Sequence, residues 1–138
     1  MTMSKKKEVP EPYRILVTGA RDWKDKAIIR HALFNTWQKA GSPKINSDIP
    51  NVVLIVGRAR GADTFAEIVG EAFGFTIEPY EADWEHKGKG AGPQRNQQMV
   101  NSGADICLAF LHEGSKGTAD CIKRAEKAEI PVEIYRED

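Results

Sequence analysis

The chain has 138 residues, which fits one domain. Its 20 Lys and Arg offset 20 Asp and Glu, so it lacks the overall basic field of a general nucleic-acid binder, though a local basic pocket remains possible. No run of roughly 18 apolar residues and no signal-peptide core occurs, so the expectation is a soluble cytoplasmic protein without membrane contact.

Residues 1–12 read as a disordered tail, with Lys5, Lys6, Lys7 and two prolines and almost nothing to bury. The domain is expected over 13–138. Arg14–Thr18 is a first strand, and Gly19, Ala20, Arg21 and Asp22 form its exit loop. Asp22 or Asp25 can cap the helix that follows, in which Ile28, Ile29, Ala32, Leu33, Thr36 and Trp37 recur at helical spacing. Gly41, Ser42 and Pro43 stop it, and a polar loop runs on to Pro50. Val52–Val56 is an uninterrupted apolar run, as in a strand covered on both faces. Gly57 and Gly61 bracket Arg58, Ala59 and Arg60 in the turn after it. Such a turn either aims N–H groups and two guanidinium groups at an anion, or is a tight strand-to-helix connection with solvated arginines. The next helix carries Phe65, Ala66, Ile68, Val69, Ala72 and Phe73 and stops at Gly74.

Phe75–Tyr80 is a short strand whose Pro79 suits an edge. Glu81–Gly92 shows no periodicity and reads as a charged connection that includes Asp83, Trp84, Glu85, His86 and Lys87. Pro93 fits the first turn of a helix with Arg95 and Asn96 in its polar opening. Ile106–Phe110 is another apolar strand. Gly117 and Thr118 open the last helix, with Ala119, Ile122, Ala125 and Ala128 expected to face inward. Val132–Tyr135 is the last strand.

This alternation predicts an α/β, Rossmann-like three-layer sandwich: a mostly parallel five-stranded sheet, ordered 3-2-1-4-5, with helices on both faces. Ligands of such sheets lie beyond the carboxyl ends of the strands, near the reversal in strand order. Three strand exits carry glycine and a basic residue: Gly19–Arg21, Gly57–Gly61 and Gly114–Ser115–Lys116–Gly117–Thr118. A parallel sheet opens all three on one edge. One helix N-terminus favours an anion by only about 0.3–1 kcal/mol, whereas micromolar affinity needs about 8 kcal/mol, so convergence of several donors is the argument. Arg21, Arg60, Arg95, Ser115, Lys116 and Thr118 are assigned to phosphate, and Asp63 or Asn96 to ribose. Asp63 can equally be a helix cap, Thr118 a cap and Ser115 a turn residue. Trp23 reads as core; Trp84 either stacks on a base or covers the core. Cys107 and Cys121 read as reduced core residues, and His31, His86 and His112 lie too far apart for a metal motif, so neither metal nor cofactor is expected.

Five blocks then resemble a known family in order and spacing: ILVTGARDW (Ile15–Trp23), GRARGAD (Gly57–Asp63), EADW (Glu81–Trp84), GKGAGPQRNQQMV (Gly88–Val100) and AFLHEGSKGTADCIKRA (Ala109–Ala125). They resemble the YspA/YpsA-related branch of the SLOG superfamily, named for the Smf/DprA and Lonely Guy proteins. The resemblance implies a domain for a nucleotide or nucleotide-derived ligand, in small prokaryotic or phage proteins proposed to sense or process such ligands in conflict systems. It also implies a homodimer or higher homo-oligomer. Lonely Guy enzymes cleave a nucleoside monophosphate at its N-glycosidic bond, and DprA-like relatives bind single-stranded DNA. Two departures stand out. The final glutamate of the Lonely Guy motif falls on Cys121, with Asp120 one residue earlier, and Val56 stands where the branch commonly has histidine before Gly57.

The leading reading is therefore a sensor or sequestering module for a nucleotide, contacted by Gly19, Arg21, Gly57, Arg60, Gly61, Asp63, Trp84, Arg95, Asn96, Gly114, Ser115, Lys116, Gly117 and Thr118. The second is a nucleotide N-glycosidase or phosphoribohydrolase, with Asp63, Asp83, Glu85 and Asp120 as carboxylate candidates. The third is DprA-like binding of single-stranded nucleic acid, which the zero net charge disfavours.

Overall fold

The computed structural model describes residues 11–40 and 51–137. The tail up to Pro10, the Gly41–Ser42–Pro43 helix stop and the polar loop to Pro50 lie outside the described residues. Five parallel strands form one sheet: β1 (Tyr13–Gly19), β2 (Val52–Val56), β3 (Thr76–Pro79), β4 (Ile106–Leu111) and β5 (Val132–Arg136). Their order is β3-β2-β1-β4-β5, as the alternation predicts. Between them run α1 (Lys26–Lys39), α2 (Ala62–Phe73), a one-turn helix α3 (Trp84–Lys87), α4 (Ala91–Asn101) and α5 (Lys116–Lys127).

Successive strand residues point to opposite faces, and each face has its own core. Ile15, Val17, Leu54, Val56, Leu108 and Phe110 pack with residues of α1 and α2. Leu16, Ile55 and Cys107 pack with Met99, Val100, Cys121 and Ala125 of α4 and α5. Burying an aliphatic side chain of this size contributes about 1.5–3 kcal/mol, which is why the central strands read as unbroken apolar runs. Cys107 and Cys121 are free and buried.

Local signals explain the element ends. Asp25, not Asp22, caps α1, its carboxylate accepting from Ile28 N. Gly74 ends α2 in the left-handed conformation. Pro79 sits at the sheet edge, where the missing N–H leaves no ladder bond unmade. Two expectations fail. The connection 81–92 is not irregular: Asp83 caps α3, accepting from His86 N, and a 3-10 turn follows at Gly88–Gly90. A single turn of helix is too short to show periodicity. In α5 the buried stripe is Thr118, Cys121, Ile122 and Ala125, while Ala119 and Ala128 are exposed. Ala119 lies about 100° round the helix from Thr118, on the side away from Cys121 and Ala125, and so falls outside the stripe.

At the carboxyl edge, Gly61 has φ +75°, and a Cβ there would lie 2.3 Å from the Arg21 carbonyl oxygen. Gly61→Ala is therefore expected to lower stability by about 2–4 kcal/mol. Gly90→Ala, at φ −79° with open space around it, should change it by less than about 0.5 kcal/mol. Urea denaturation of the two variants checks this contrast.

Candidate functional site

One residue gathers the strand exits. Ala20 N donates to Phe110 O at the end of β4, and Ala20 O accepts from Ala62 N at the start of α2. The loops after β1, β2 and β4 are thereby tied at the reversal in strand order. A cavity of about 340 Å³ opens there. Gly19, Arg21, Asp63, Arg95, Asn96 and the Gly114–Thr118 loop all line it.

The Gly114–Thr118 loop ends in the N-terminus of α5. Ser115 is the N-cap residue, yet its hydroxyl serves its own turn: Oγ accepts from His112 N at 2.9 Å and donates to His112 O at 2.6 Å. Its N–H also donates to His112 O. Ser115 is thus a turn residue, and the expectation that its hydroxyl holds phosphate gives way to this local bonding. The N–H groups of Lys116, Gly117 and Thr118 precede the first intrahelical bond, Ala119 N to Ser115 O. They face the cavity end of the helix with no acceptor among the described residues. Thr118 is 3% exposed and lines the same cavity.

Asp63 is buried at the second position of α2, so it is not the N-cap; Gly61 is. Its Oδ2 accepts from Ala59 N at 3.2 Å, pinning the turn after β2, while Oδ1 is buried without a partner. Burial pushes its pKa up to about 7, against the pull of the Ala59 N–H and the Arg95 charge. The residue lines the cavity, while this oxygen is itself buried within the wall.

Arg95 reaches across from α4. Its Nη1 donates to Gly57 O and its Nε to Asn96 Oδ1. A Cβ at Gly57 would come within 2.7 Å of Nη1, so glycine makes room for the guanidinium. Asn96 lines the cavity, but its amide is occupied: Nδ2 donates to Gly117 O and Asp120 Oδ2. It holds α4 against α5.

Several expected residues are not brought to this cavity. Arg60 is exposed, and Gly61 is packed beneath the Ala20–Arg21 backbone. Asp83 is spent on α3, with contacts to His86 N and Nδ1, and Glu85 is exposed beside it. Asp120 bonds Arg124 and Asn96; burial raises its pKa, but these two hydrogen bonds outweigh that and hold it below the usual carboxylate value. Cys121 is fully buried in the core beside it. Of the acids named from sequence, Asp63 lines the cavity and Asp83, Glu85 and Asp120 do not. Gly57 and Trp84 line an adjoining hollow that shares Arg21, Ala59 and Arg95 with the first.

His112 and its partners are the residues sequence reasoning missed. Its Nδ1 lies 2.7 Å from Asp22 Oδ1 and its Nε2 2.7 Å from Glu137 Oε1. Both nitrogens can donate only as the imidazolium, and the Asp22 hydrogen bond, aided by Glu137, holds the pKa above the ordinary value. The ring stacks on Trp23, which is buried as expected. Glu137 also accepts from Lys24 N and Asp25 N, so the chain end braces the loop after β1. Partners so far apart in the chain leave no spacing signal.

With this geometry established, comparison with known proteins is direct. Residues 13–86 match the family described as YAcAr, the YspA, cpYpsA-related SLOG family. The Gene 61 protein of Mycobacterium phage D29 is 41% identical over 124 residues, 86% of this chain and 93% of that protein. The chain belongs to the YspA, cpYpsA-related SLOG family. The family's fold extends to a solved structure, DNA processing protein A (DprA) from Streptococcus pneumoniae, with a TM-score of 0.62 over 89% of this chain. Sequence identity to it is 14%, and the chain spans half of that protein's length, so the likeness is one of fold. Among the described residues no helix is long and apolar enough to cross a membrane.

Two titrations follow. Because the folded pKa of His112 is raised, its contribution to stability is complete below about pH 6.5 and is lost as pH rises through the folded value. Asp22→Asn should lower the His112 pKa, as read by NMR, and reduce the stability advantage at acid pH. Asp63 works in the opposite sense to a paired carboxylate. Its raised pKa means the native state loses stability as pH rises from about 4 to about 7. Asp63→Asn should remove that decline in a series of denaturation curves across this range.

Proposed function

We infer that the cavity binds a nucleotide or nucleotide-derived ligand, and that the protein acts as a sensor or sequestering module for it. The observation that carries this reading is the pairing, in one cavity, of a free α5 N-terminus with the unpartnered Asp63 Oδ1. A phosphate suits the N–H groups of Lys116, Gly117 and Thr118, supported by Lys116 and the guanidinium groups of Arg21 and Arg95. A ribose hydroxyl suits Asp63. Charge-assisted hydrogen bonds of roughly 1.5–3 kcal/mol each, summed over several donors, reach the range of micromolar binding. The phage relative supports a setting in phage or bacterial conflict, in the cytoplasm. Exposed Phe34 and Ile68 on the neighbouring helices α1 and α2 support a homodimer.

A second reading, nucleotide N-glycosidase, is favoured by one feature: a buried carboxyl with a pKa pushed up to about 7 in the cavity wall is suited to general acid–base work. The residue carrying that reading is Asp63 rather than Asp83 or Asp120. Chromatography of nucleotides incubated with the protein separates the readings, since release of free base that is lost in Asp63→Asn supports catalysis.

Binding is tested by thermal shift with adenosine 5′-monophosphate (AMP) and other mono-, di- and cyclic nucleotides. At about 100-fold excess over Kd the midpoint should rise by about 9 °C. Thr118→Val and Lys116→Ala should each weaken binding by about tenfold. No shift across the panel at millimolar concentration would end the proposal.

A further inference from the structure

The adjoining hollow has a volume of about 290 Å³ and differs in chemistry from the first. Three guanidinium groups, Arg21, Arg58 and Arg95, line it against one carboxylate, Glu81, and Trp84 forms part of its wall. Trp84 is 51% exposed, although an indole is costly to leave in water. Its ring is faced by the Arg21 guanidinium at 5.9 Å, and no hydrogen bond or ion pair engages Arg21 among the described residues. The cation in the wall between the two hollows is thus held only by a ring face, an interaction worth about 0.5–1 kcal/mol at an exposed site.

The other two arginines are fixed in place. Arg58 sits at φ +57°, a conformation unusual for a side-chain-bearing residue, and bonds Glu67 at 3.2 Å and Glu81 at 3.5 Å. Arg95 is anchored through Nη1 and Nε, which leaves its Nη2 without a hydrogen bond among the described residues. Arg21, Arg58 and Arg95 thus outnumber Glu81 among the residues lining this hollow, and Arg21 and Arg95 belong to the wall shared with the first. A single phosphate at the α5 N-terminus leaves the exposed indole of Trp84 unused.

We propose that the second hollow is a subsite for the far end of a two-ended ligand, a dinucleotide whose second base stacks on Trp84 and whose second phosphate lies between Arg21, Arg58 and Arg95. This rests on the nucleotide reading of the first cavity and narrows it. The incoming ring takes the indole face now covered by Arg21, and the displaced guanidinium turns to the phosphate beside it. The exchange replaces a weak cation–ring contact with a charge-assisted hydrogen bond.

The test compares AMP with the linear dinucleotide pApA by calorimetry on the full chain. The wild-type protein should bind pApA at least tenfold more tightly than AMP, since stacking of one base on an aromatic side chain is worth that much or more. Trp84→Ala should bring the ratio of the two affinities close to one, and Trp84→Phe, which keeps a ring, should preserve most of it. Circular dichroism of both variants should match wild type, because α3 buries no side chain. A ratio near one in the wild type, or a ratio unchanged by Trp84→Ala, would overturn the subsite while leaving the first cavity's assignment intact. Affinity that keeps rising with longer oligoadenylates and falls steeply with salt would overturn it in favour of a single-strand track. Failure of both AMP and pApA to bind would overturn the nucleotide reading and this inference with it.

Discussion

The backbone of Ala20 is the constraint on which the site depends. Its N–H is fixed to the end of β4 and its carbonyl to the start of α2. The three strand exits therefore cannot move independently. Gly61 makes this possible, since its bare Cα lies under the Arg21 and Ala20 carbonyl oxygens. A site built on such backbone contacts needs little reorganisation when a ligand arrives, and ordering cost is a major loss in binding. The cavity is in this sense a property of the main chain, and the side chains decide what it accepts.

Those side chains divide into supports and free groups. Asn96, Asp120, Arg124 and Gln97 form a hydrogen-bonded tie between α4 and α5. Ser115 closes its own turn, and Glu137, His112 and Asp22 brace the opposite wall. With these occupied, the donors left open are the α5 N–H groups, Lys116, Arg21 and one arm of Arg95, together with one unsatisfied oxygen on Asp63. Native structures rarely leave a buried carboxyl oxygen unpaired, and Asp63 lines the same cavity as the α5 N-terminus. Its near-neutral pKa lets it donate or accept, which suits a hydroxyl.

Much of this was legible in the amino-acid sequence. Val52–Val56 and Ile106–Phe110 read as doubly covered strands, and the alternation with helices predicted a mostly parallel sheet in the order found. The convergence of Gly19–Arg21, Gly57–Gly61 and Gly114–Thr118 on one edge then followed from topology. What was not legible depended on where side chains end. The identities of Ser115, Asn96 and Asp120 suggested ligand contacts, but nothing local shows that each is already bonded to a neighbour. Asp63 could be read as a cap because a carboxylate in a first turn commonly is one; that one of its oxygens stays unpaired is a fact of packing. His112 meets Asp22 and Glu137 only after the chain has folded, and α3 is too short for periodicity to mark it.

The family gives the fold, and this chain departs from its relatives at the acids of the site. With Cys121 buried in the core and Asp120 bound to Arg124, the acid of the Lonely Guy motif has no counterpart in the cavity. Asp63 is the acid that does line it. The central claim is that an anionic ligand docks on the N-terminus of α5. The most direct measurement is an NMR titration of the backbone amides with AMP. The account predicts the largest shifts at Lys116, Gly117 and Thr118, with a smaller response at Ala20 and Asp63. Saturable shifts confined to the exposed Lys87–Lys89 turn or to the α1–α2 face, with these amides unmoved, would contradict it.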